Sequence, residues 1–458
     1  MSGTRIASIS GLRGVVGDGL DPVVAVEFAA AYASNCERGP IIVSHDGRVS
    51  SSVFVPAVVA GVTATGRDVL LAGAAATPTI GILVKDRSAV GGIQISASHN
   101  PPQYNGLKFF QPGGMVLSPE QGRGVLDRWQ RKDLAWAAWD GLGKMRSIGE
   151  PDESHLLRVL ALVDVEAIRS RQFTVALDAC HGAGGRLAVR LLRALGCRPI
   201  VLGGEPDGHY DHLPEPTEKN LRSFSAMVAA MGAAIGFAQD PDADRLAIVD
   251  ESGRYIGEEL TLALAAVRRL SQAQGPVVLN LSTSSVTELL ARRAACPVVR
   301  TPVGEINVVE AMLANDAILG GEGNGGVIDP RVGFVRDSFV GMAVVLDLLA
   351  SDDRPLSAWV DSLPQRTMVK DQYPLGSSVP TAEALSALWD RIARECQGAR
   401  ADRRDGLRLD WDDRWVHIRS SNTEPIVRVI AEASDGTLAR KLADAAGEWV
   451  QGFRDRER

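Results

Sequence analysis

Short apolar runs alternate with amphipathic stretches along most of this chain, and one arrangement of them occurs three times. Each copy has an apolar run, a turn rich in Ser, Asp or Gly, an amphipathic stretch and a second apolar run, over roughly thirty residues. The opening runs are residues 40–43, 175–178 and 277–280. A buried strand, a helix and a second strand explain this order, so each copy predicts one βαβ unit.

Strands that alternate with helices indicate largely parallel sheets covered by helices, and three copies of the unit predict three similar α/β domains. The C-terminal part differs, because residues 415–418 and 426–431 are typical of strands and residues 437–453 of a closing helix. The predicted domains cover residues 1–149, 150–252, 253–363 and 364–458.

Size and charge limit the classes of function. The chain has 458 residues, which is too long for one hydrophobic core and suits several domains. Hydrophobic residues make up 45% and charged residues 23%, as in globular proteins. The formal net charge of −7 argues against nucleic acid as the main partner, since that partner needs a basic face. A phosphorylated small molecule remains compatible, because a few arginines can gather in one cleft.

Cysteine usage and hydropathy indicate where the protein works. The five cysteines are scattered and never have CxxC spacing, which predicts free thiols in a reducing compartment and no zinc site. The N-terminus has no apolar segment of the kind found in signal peptides, and no stretch has the length and hydropathy of a membrane span. We therefore expect a cytoplasmic protein with no membrane partner.

The first candidate for chemistry is the segment Ser98-His99-Asn100-Pro101, followed by Lys108. A serine hydroxyl on such a turn can carry a phosphoryl group, and an ester of this kind depends on positioning and electrostatics for transfer. A plain turn is one alternative. A Ser/His hydrolase is another, but no GxSxG motif surrounds Ser98. We interpret His99 as an orienting group, since adjacent residues make a poor acid–base pair.

A second candidate is the acidic segment with Asp240, Asp242, Asp244 and Arg245. Carboxylates at alternate positions of a tight loop can converge on one hard cation. The segment nearly satisfies the EF-hand calcium pattern, with Glu251 at the twelfth position, but an arginine replaces the required glycine and the flanks are typical of strands. Mg²⁺ is favoured over Ca²⁺, because it pairs a few carboxylates with phosphate. A solvated acidic turn is the alternative.

Two later loops offer polar groups to a ligand. Residues 320–326 are rich in glycine and contain Glu322 and Asn324, which suit sugar hydroxyls. Residues 419–425 combine an arginine with hydroxyls and turn amides, which suit an anion. The candidate anion-binding residues of this loop and the strand after it are Arg419, Ser421, Asn422, Thr423 and Arg428.

These four loops, in this order, resemble the diagnostic loops of the α-D-phosphohexomutases. The resemblance implies a phosphorylated Ser98, a general acid or base at Lys108, and Mg²⁺ bound by Asp240, Asp242 and Asp244 with the Ser98 phosphate. It further implies that Arg13 and Arg245 line the active centre, that the loop with Glu322 and Asn324 recognises the sugar, and that the loop starting at Arg419 holds the non-reacting phosphate. Supporting matches are residues 10–14, 46–48 and 77–78; Asp46 and Arg48 suit a structural role equally well, and no contact is assigned to residues 301–305.

The resemblance implies three α/β domains with mixed, largely parallel sheets and a smaller α+β C-terminal domain around a central cleft. It implies reversible transfer of phosphate between the 1- and 6-positions of a hexose or hexosamine, with a 1,6-bisphosphate intermediate that also serves as activator, and a hinge before the last domain. Glucosamine phosphate is the favoured substrate, with glucose and mannose phosphates as the alternative. The family's common Ser and closing His are replaced by Asn324 and Gly326, as in archaeal-type members. A phosphatase or a non-catalytic metal- or sugar-binding relative is a further alternative, and a monomer or homodimer is expected.

Overall fold

The computed structural model describes residues 6–8, 11–374, 382–396, 398–420 and 426–454. Over these residues it has three mixed α/β sheets with helices, followed by a smaller domain with an antiparallel sheet. The predicted fold class is therefore confirmed. No helix among the described residues is long and apolar enough to cross a membrane.

The first domain contains one large sheet. Its strands are β1 (Ile6–Ser8), β2 (Gly11–Val16), β3 (Gly19–Leu20), β4 (Ile41–His45), β5 (Val69–Ala74), β6 (Gly91–Ile95), β7 (Tyr104–Phe110) and β8 (Met145–Ser147). Its helices are α1 (Pro22–Asn35), α2 (Ser51–Thr63), α3 (Thr77–Asp86) and α4 (Pro119–Arg131), with a 3₁₀ turn at Trp139–Gly141. The strand order is β1-β2-β7-β6-β4-β5-β8, with β3 beside β2. Strand β4 is parallel to β5 and β6, whereas β6 and β7 are antiparallel.

The second domain repeats a smaller mixed sheet. It contains α5 (Glu153–Leu160), α6 (Val165–Arg171), β9 (Thr174–Asp178), α7 (Gly185–Ala194), β10 (Arg198–Leu202), α8 (Arg222–Ala230), β11 (Ile235–Gln239), β12 (Leu246–Asp250) and β13 (Tyr255–Gly257). The order is β10-β9-β11-β12-β13, and β11 and β12 form an antiparallel hairpin. Strand β13 pairs with β12, so this sheet runs past residue 252, where the sequence predicts a domain boundary.

The third domain contains α9 (Glu259–Gln272), β14 (Val277–Asn280), α10 (Ser285–Arg293), β15 (Val298–Thr301), α11 (Glu305–Ala314), β16 (Leu319–Glu322), β17 (Gly326–Ile328), α12 (Ser338–Ala350) and α13 (Leu356–Ser362). The strand order is β15-β14-β16-β17. The second and third domains share one hydrophobic core, in which Leu177 and Phe237 of the second join Leu262 and Phe339 of the third. They therefore pack as one block.

The last domain has an antiparallel sheet in the order β18-β22-β21-β20-β19. Its elements are β18 (Thr367–Pro374), α14 (Ala382–Glu395), β19 (Arg400–Asp402), β20 (Leu407–Asp410), β21 (Trp415–Ser420), β22 (Ile426–Ala433) and α15 (Gly436–Arg454). It contacts the third domain through polar groups: Glu432 accepts hydrogen bonds from Ser284 and Ser285, and His417 Nδ1 lies 2.9 Å from Ser282 Oγ.

Candidate active site

The loop that carries Ser98 is held by an arginine that follows the neighbouring strand. Strands β4 and β6 are parallel and in register, so the residues that follow them lie side by side. The guanidinium of Arg48 donates to the carbonyls of Ser98 at 2.6 Å and Asn100 at 2.7 Å, and to two further carbonyls of the loop. Buried Asp46 pairs with Arg48 at 2.9 Å. These two residues therefore have a structural role in shaping the loop.

Ser98 itself is buried and has an unusual backbone conformation. Its φ is 52°, a left-handed value that is uncommon for a residue with a side chain. Its hydroxyl donates to Asp240 Oδ2 at 2.9 Å and lies 3.3 Å from His99 Nδ1. Nearby Arg245, together with burial and Arg13, holds the pKa of His99 well below its usual value. These surroundings favour the neutral form of the His99 ring.

The three aspartates of the acidic segment lie on the hairpin between β11 and β12. Asp240, Asp242 and Asp244 are fully buried, and one oxygen from each lies within 4.8 Å of the others. Among the described residues, the Oδ1 atoms of Asp242 and Asp244 have no hydrogen-bond partner. Strands and not helices flank this loop, so it is not an EF-hand.

Lys108 extends from β7 into this acidic cluster. Its ammonium group contacts Asp242 and lies 3.1 Å from Asp244 Oδ2. Burial favours the neutral amine, but the two carboxylates outweigh it and raise the pKa of Lys108. Burial and the other two carboxylates raise the pKa of Asp240 well above its usual value. This shift reflects repulsion among three crowded carboxylates, which a divalent cation bound at this loop would relieve.

The first domain also contacts the acidic loop through the start of α3. Thr77 donates from its backbone N–H to the Asp242 carbonyl at 2.9 Å and from its hydroxyl to Asp242 Oδ2 at 2.5 Å. Arg13 Nη1 donates to Asn100 Oδ1 at 2.8 Å, beside Ser98. The structure thus brings together residues of the first two domains that the sequence analysis named separately: Ser98, His99, Lys108, Arg13, Asp240, Asp242, Asp244 and Arg245.

The glycine-rich loop meets this cluster from the third domain. Strands β14 and β16 are parallel and in register, which places Asn280 beside Glu322. Glu322 accepts from Asn280 Nδ2 at 2.7 Å and from the Gly304 backbone N–H at 3.1 Å. The Oδ1 atom of Asn324 is buried and has no hydrogen-bond partner among the described residues. Gly304, within the segment 301–305 to which no contact was assigned, therefore helps to position Glu322.

Arg336, just before α12, is the residue that the sequence analysis missed. Its guanidinium donates to Asp244 Oδ2 at 2.7 Å and to Glu322 Oε2 at 2.7 Å. Although burial alone would raise the pKa of Asp244, Arg336, Lys108 and Arg245 hold it below its usual value. The only indication of this role of Arg336 in the sequence is its place between an apolar run and Asp337, which caps α12.

The loop predicted to bind phosphate is described only in part. Arg419 is the second-last residue of β21 and is 7% exposed. Its Nε lies 3.1 Å from Asp405 Oδ2, which also accepts from the Val303 backbone N–H at 2.9 Å. Arg428 lies opposite Arg419 in the antiparallel register of β21 and β22. The other predicted residues, Ser421, Asn422 and Thr423, lie outside the described residues.

Comparison with known proteins gives a consistent result. Models of the phosphoglucomutase/phosphomannomutase family match alpha/beta/alpha domain I at residues 5–135, domain II at 153–253, domain III at 257–367 and the C-terminal domain at 377–447. A phosphoglucomutase/phosphomannomutase of Thermococcus kodakarensis is 36% identical, covering 95% of this chain and 96% of the relative. A probable phosphoglucosamine mutase of Methanopyrus kandleri is 34% identical, covering 95% of each. The crystal structure of a phosphoglucomutase/phosphomannomutase family protein from Burkholderia thailandensis superposes with a TM-score of 0.85 at 26% identity, covering 98% of this chain and 97% of that one.

Proposed function

The chain belongs to the phosphoglucomutase/phosphomannomutase family of the α-D-phosphohexomutases, and from that premise we propose that it moves phosphate between the 1- and 6-positions of a hexosamine or hexose through phospho-Ser98. The single observation that carries the proposal is the position of the Ser98 hydroxyl, 2.9 Å from Asp240 in a buried acidic cluster that also holds Lys108. The proposed nucleophile Ser98 and proton carrier Lys108 of the first domain thus lie beside the proposed cation site of the second domain.

The transfer begins with attack by a substrate hydroxyl on the phosphorus of phospho-Ser98. The bond from phosphorus to Ser98 Oγ breaks, and the hydroxyl proton passes to that oxygen. Lys108 is the proposed general acid or base for this proton, and its raised pKa keeps it charged as an acid. The second half reverses these steps with the other phosphate of the 1,6-bisphosphate, after the intermediate has turned in the cleft.

The acidic loop fits a magnesium ion. Asp240, Asp242 and Asp244 would hold it, since their oxygens converge and two of them have no hydrogen-bond partner within the described part of the chain. When bound, Mg²⁺ would neutralise charge on the transferring phosphoryl group. Arg13 and Arg245 are the proposed nearby groups that bind the same phosphate.

The distal phosphate is assigned to the loop that starts at Arg419, with Ser421, Asn422, Thr423 and Arg428 as further ligands. A chain of contacts supports this placement, because Asp405 joins Arg419 to Val303, and the next residue, Gly304, donates to Glu322. The phosphate loop and the sugar loop are thus connected through one segment of the third domain. Glu322 and Asn324 are the proposed contacts to sugar hydroxyls.

Glucosamine phosphate is the proposed substrate, because residues 96–101 resemble the corresponding loop of phosphoglucosamine mutases. The name of the Methanopyrus kandleri relative agrees with this choice. Glucose and mannose phosphates are the second candidate, favoured by the name of the Thermococcus kodakarensis relative. A hexose 1,6-bisphosphate is the proposed activator, and the cytoplasm is the proposed location.

The test is a mutase assay with Mg²⁺ and a trace of hexose 1,6-bisphosphate on glucosamine, glucose and mannose 1-phosphates. We expect turnover with a preference for glucosamine; equal rates on glucose and mannose would support the second candidate. Ser98→Ala should abolish turnover and leave the fold intact, since it removes one hydrogen bond worth about 1 kcal/mol. Ser52→Ala, an exposed serine of the same domain, is the matched control. Wild-type rates in Ser98→Ala, or net release of inorganic phosphate, would refute the mechanism.

A further inference from the structure

Gly326, the first residue of β17, has no room for a side chain. A Cβ atom placed there would lie 2.3 Å from Cδ and 2.7 Å from Cγ of Arg336, and 3.1 Å from its Cβ. These are the nearest atoms, and all belong to Arg336. The backbone of Gly326 is not in the left-handed region, so the conformation itself would accept another residue. The arginine side chain therefore fills the space that a side chain at position 326 would occupy.

The same arginine connects the two loops of the candidate site. Its Nη2 donates to Asp244 of the acidic loop and its Nη1 to Glu322 of the glycine-rich loop, each at 2.7 Å. Its backbone N–H donates to Glu305 Oε1 at 2.9 Å, which ties it to the start of α11. Its side chain is only 11% exposed. The two loops come from different domains, and Arg336 bonds to both with one planar group.

We propose that Arg336 takes the place of the side chain missing at Gly326 and is a positioning residue that sets the acidic loop at a constant distance from the sugar loop. The inference rests on the proposed function for its kinetic consequence, although its packing consequence stands without it. The glycine at 326 and the arginine at 336 then form one unit, in which the first leaves the space that the second fills.

Physical chemistry explains why an arginine suits this position. Its fork of N–H donors has a rigid geometry that can meet two carboxylates in different directions, whereas a lysine offers a point charge on a flexible stem. Asp244 and Glu322 are both buried, so loss of the guanidinium would leave two carboxylates without their shared partner. A substrate placed between metal loop and sugar loop would then lose its alignment.

The packing part is tested by a double-mutant cycle measured as thermal unfolding without substrate or added metal. Gly326→Ala in the wild-type background should lower Tm by roughly 3–6 °C, because the new methyl group meets an arginine held by three ion pairs. The same change in an Arg336→Ala background should cost less than about 1 °C, since Cγ and Cδ are gone. Equal losses in the two backgrounds would overturn the proposal.

The positioning part is tested by kinetics on the sugar phosphate with the highest turnover. Arg336→Gln keeps the Cβ, Cγ and Cδ atoms and removes the charge, so kcat/KM should fall roughly 100-fold, mostly in kcat. Arg336→Lys should recover part of the loss. Arg331→Gln is the matched control, because Arg331 is 38% exposed, pairs with Asp329 nearby and should stay within about twofold of wild type.

The outcomes separate this inference from the proposed function. Wild-type kcat/KM in Arg336→Gln, or an equal loss in Arg331→Gln, would refute the positioning role. If Arg336→Ala does not fold, the kinetics of Arg336→Gln and Arg336→Lys still test the positioning role. An inactive wild-type enzyme would refute the proposed function, and the double-mutant cycle would still test the pairing of 326 with 336.

Discussion

Replacement of Arg48 should lower both the stability of the protein and its kcat, although no contact between Arg48 and the substrate is proposed. Arg48 is buried, pairs with buried Asp46 and donates to carbonyls of the loop that holds Ser98. Arg48→Met would leave Asp46 with the Ser96 hydroxyl at 2.7 Å and the backbone N–H of residue 48 as donors. Breaking a buried pair of this kind costs about 3–5 kcal/mol, and the remaining donors place the loss near the lower limit.

The loop carbonyls add to this loss. Each of the four carbonyl bonds contributes roughly 0.5–1 kcal/mol, but water can replace those near the surface, so we expect about 4 kcal/mol in total. In a domain of this size, a loss of about 4 kcal/mol lowers the Tm of the first domain by about 10 °C. Ser98 would also lose the bond at 2.6 Å that holds its left-handed backbone, so kcat should fall at least roughly tenfold.

The assay combines calorimetry of the full chain with the mutase reaction at saturating substrate. Arg67→Met is the matched control, because Arg67 also lies in the first domain and donates to two carbonyls at 2.8 Å, but no carboxylate of the described residues forms an ion pair with it. We expect the control to lose roughly 1–2 kcal/mol and no kcat. Equal Tm values for Arg48→Met and wild type, or an equal loss of kcat in Arg67→Met, would refute the reasoning.

Three further predictions follow from the site and its surroundings. Asp242→Asn should weaken Mg²⁺ binding, so that half activation requires a higher Mg²⁺ concentration; an unchanged titration would contradict the metal assignment. Arg419→Ala should raise KM more than it lowers kcat, as expected for a group that binds phosphate in both half-reactions; a fall in kcat alone would contradict it. Burial lowers the pKa of His417 from 6.5 to about 4, so the folded protein binds fewer protons than the unfolded chain between these values. The free energy of unfolding therefore has its full value above pH 6.5 and falls by roughly 3 kcal/mol as the pH drops to 4. His417→Asn should flatten the fall of Tm across that range, and an equal slope in the variant would argue against it.

The sequence predicted much of the architecture because buried strands are visible as short runs of apolar residues. The apolar run at 175–178 and the later run at 277–280 coincide with β9 and β14, since strands of parallel sheets are buried on both faces and need no alternation. The acidic loop was found for a similar reason: its three carboxylates are close in sequence and lie in one hairpin. Features of this kind depend on neighbours within a few residues.

The contacts that assemble the site depend on tertiary structure. Arg336 is 92 residues from Asp244, and Thr77 is 165 residues from Asp242, yet both pairs are within hydrogen-bond distance. No periodicity or motif reports such pairs, because they form only when parallel strands bring their following loops to one edge and domains pack on one another. The motifs of this chain determined which groups could do the chemistry; the packing of its domains decided which of them meet, and that an arginine would fill the space left by Gly326.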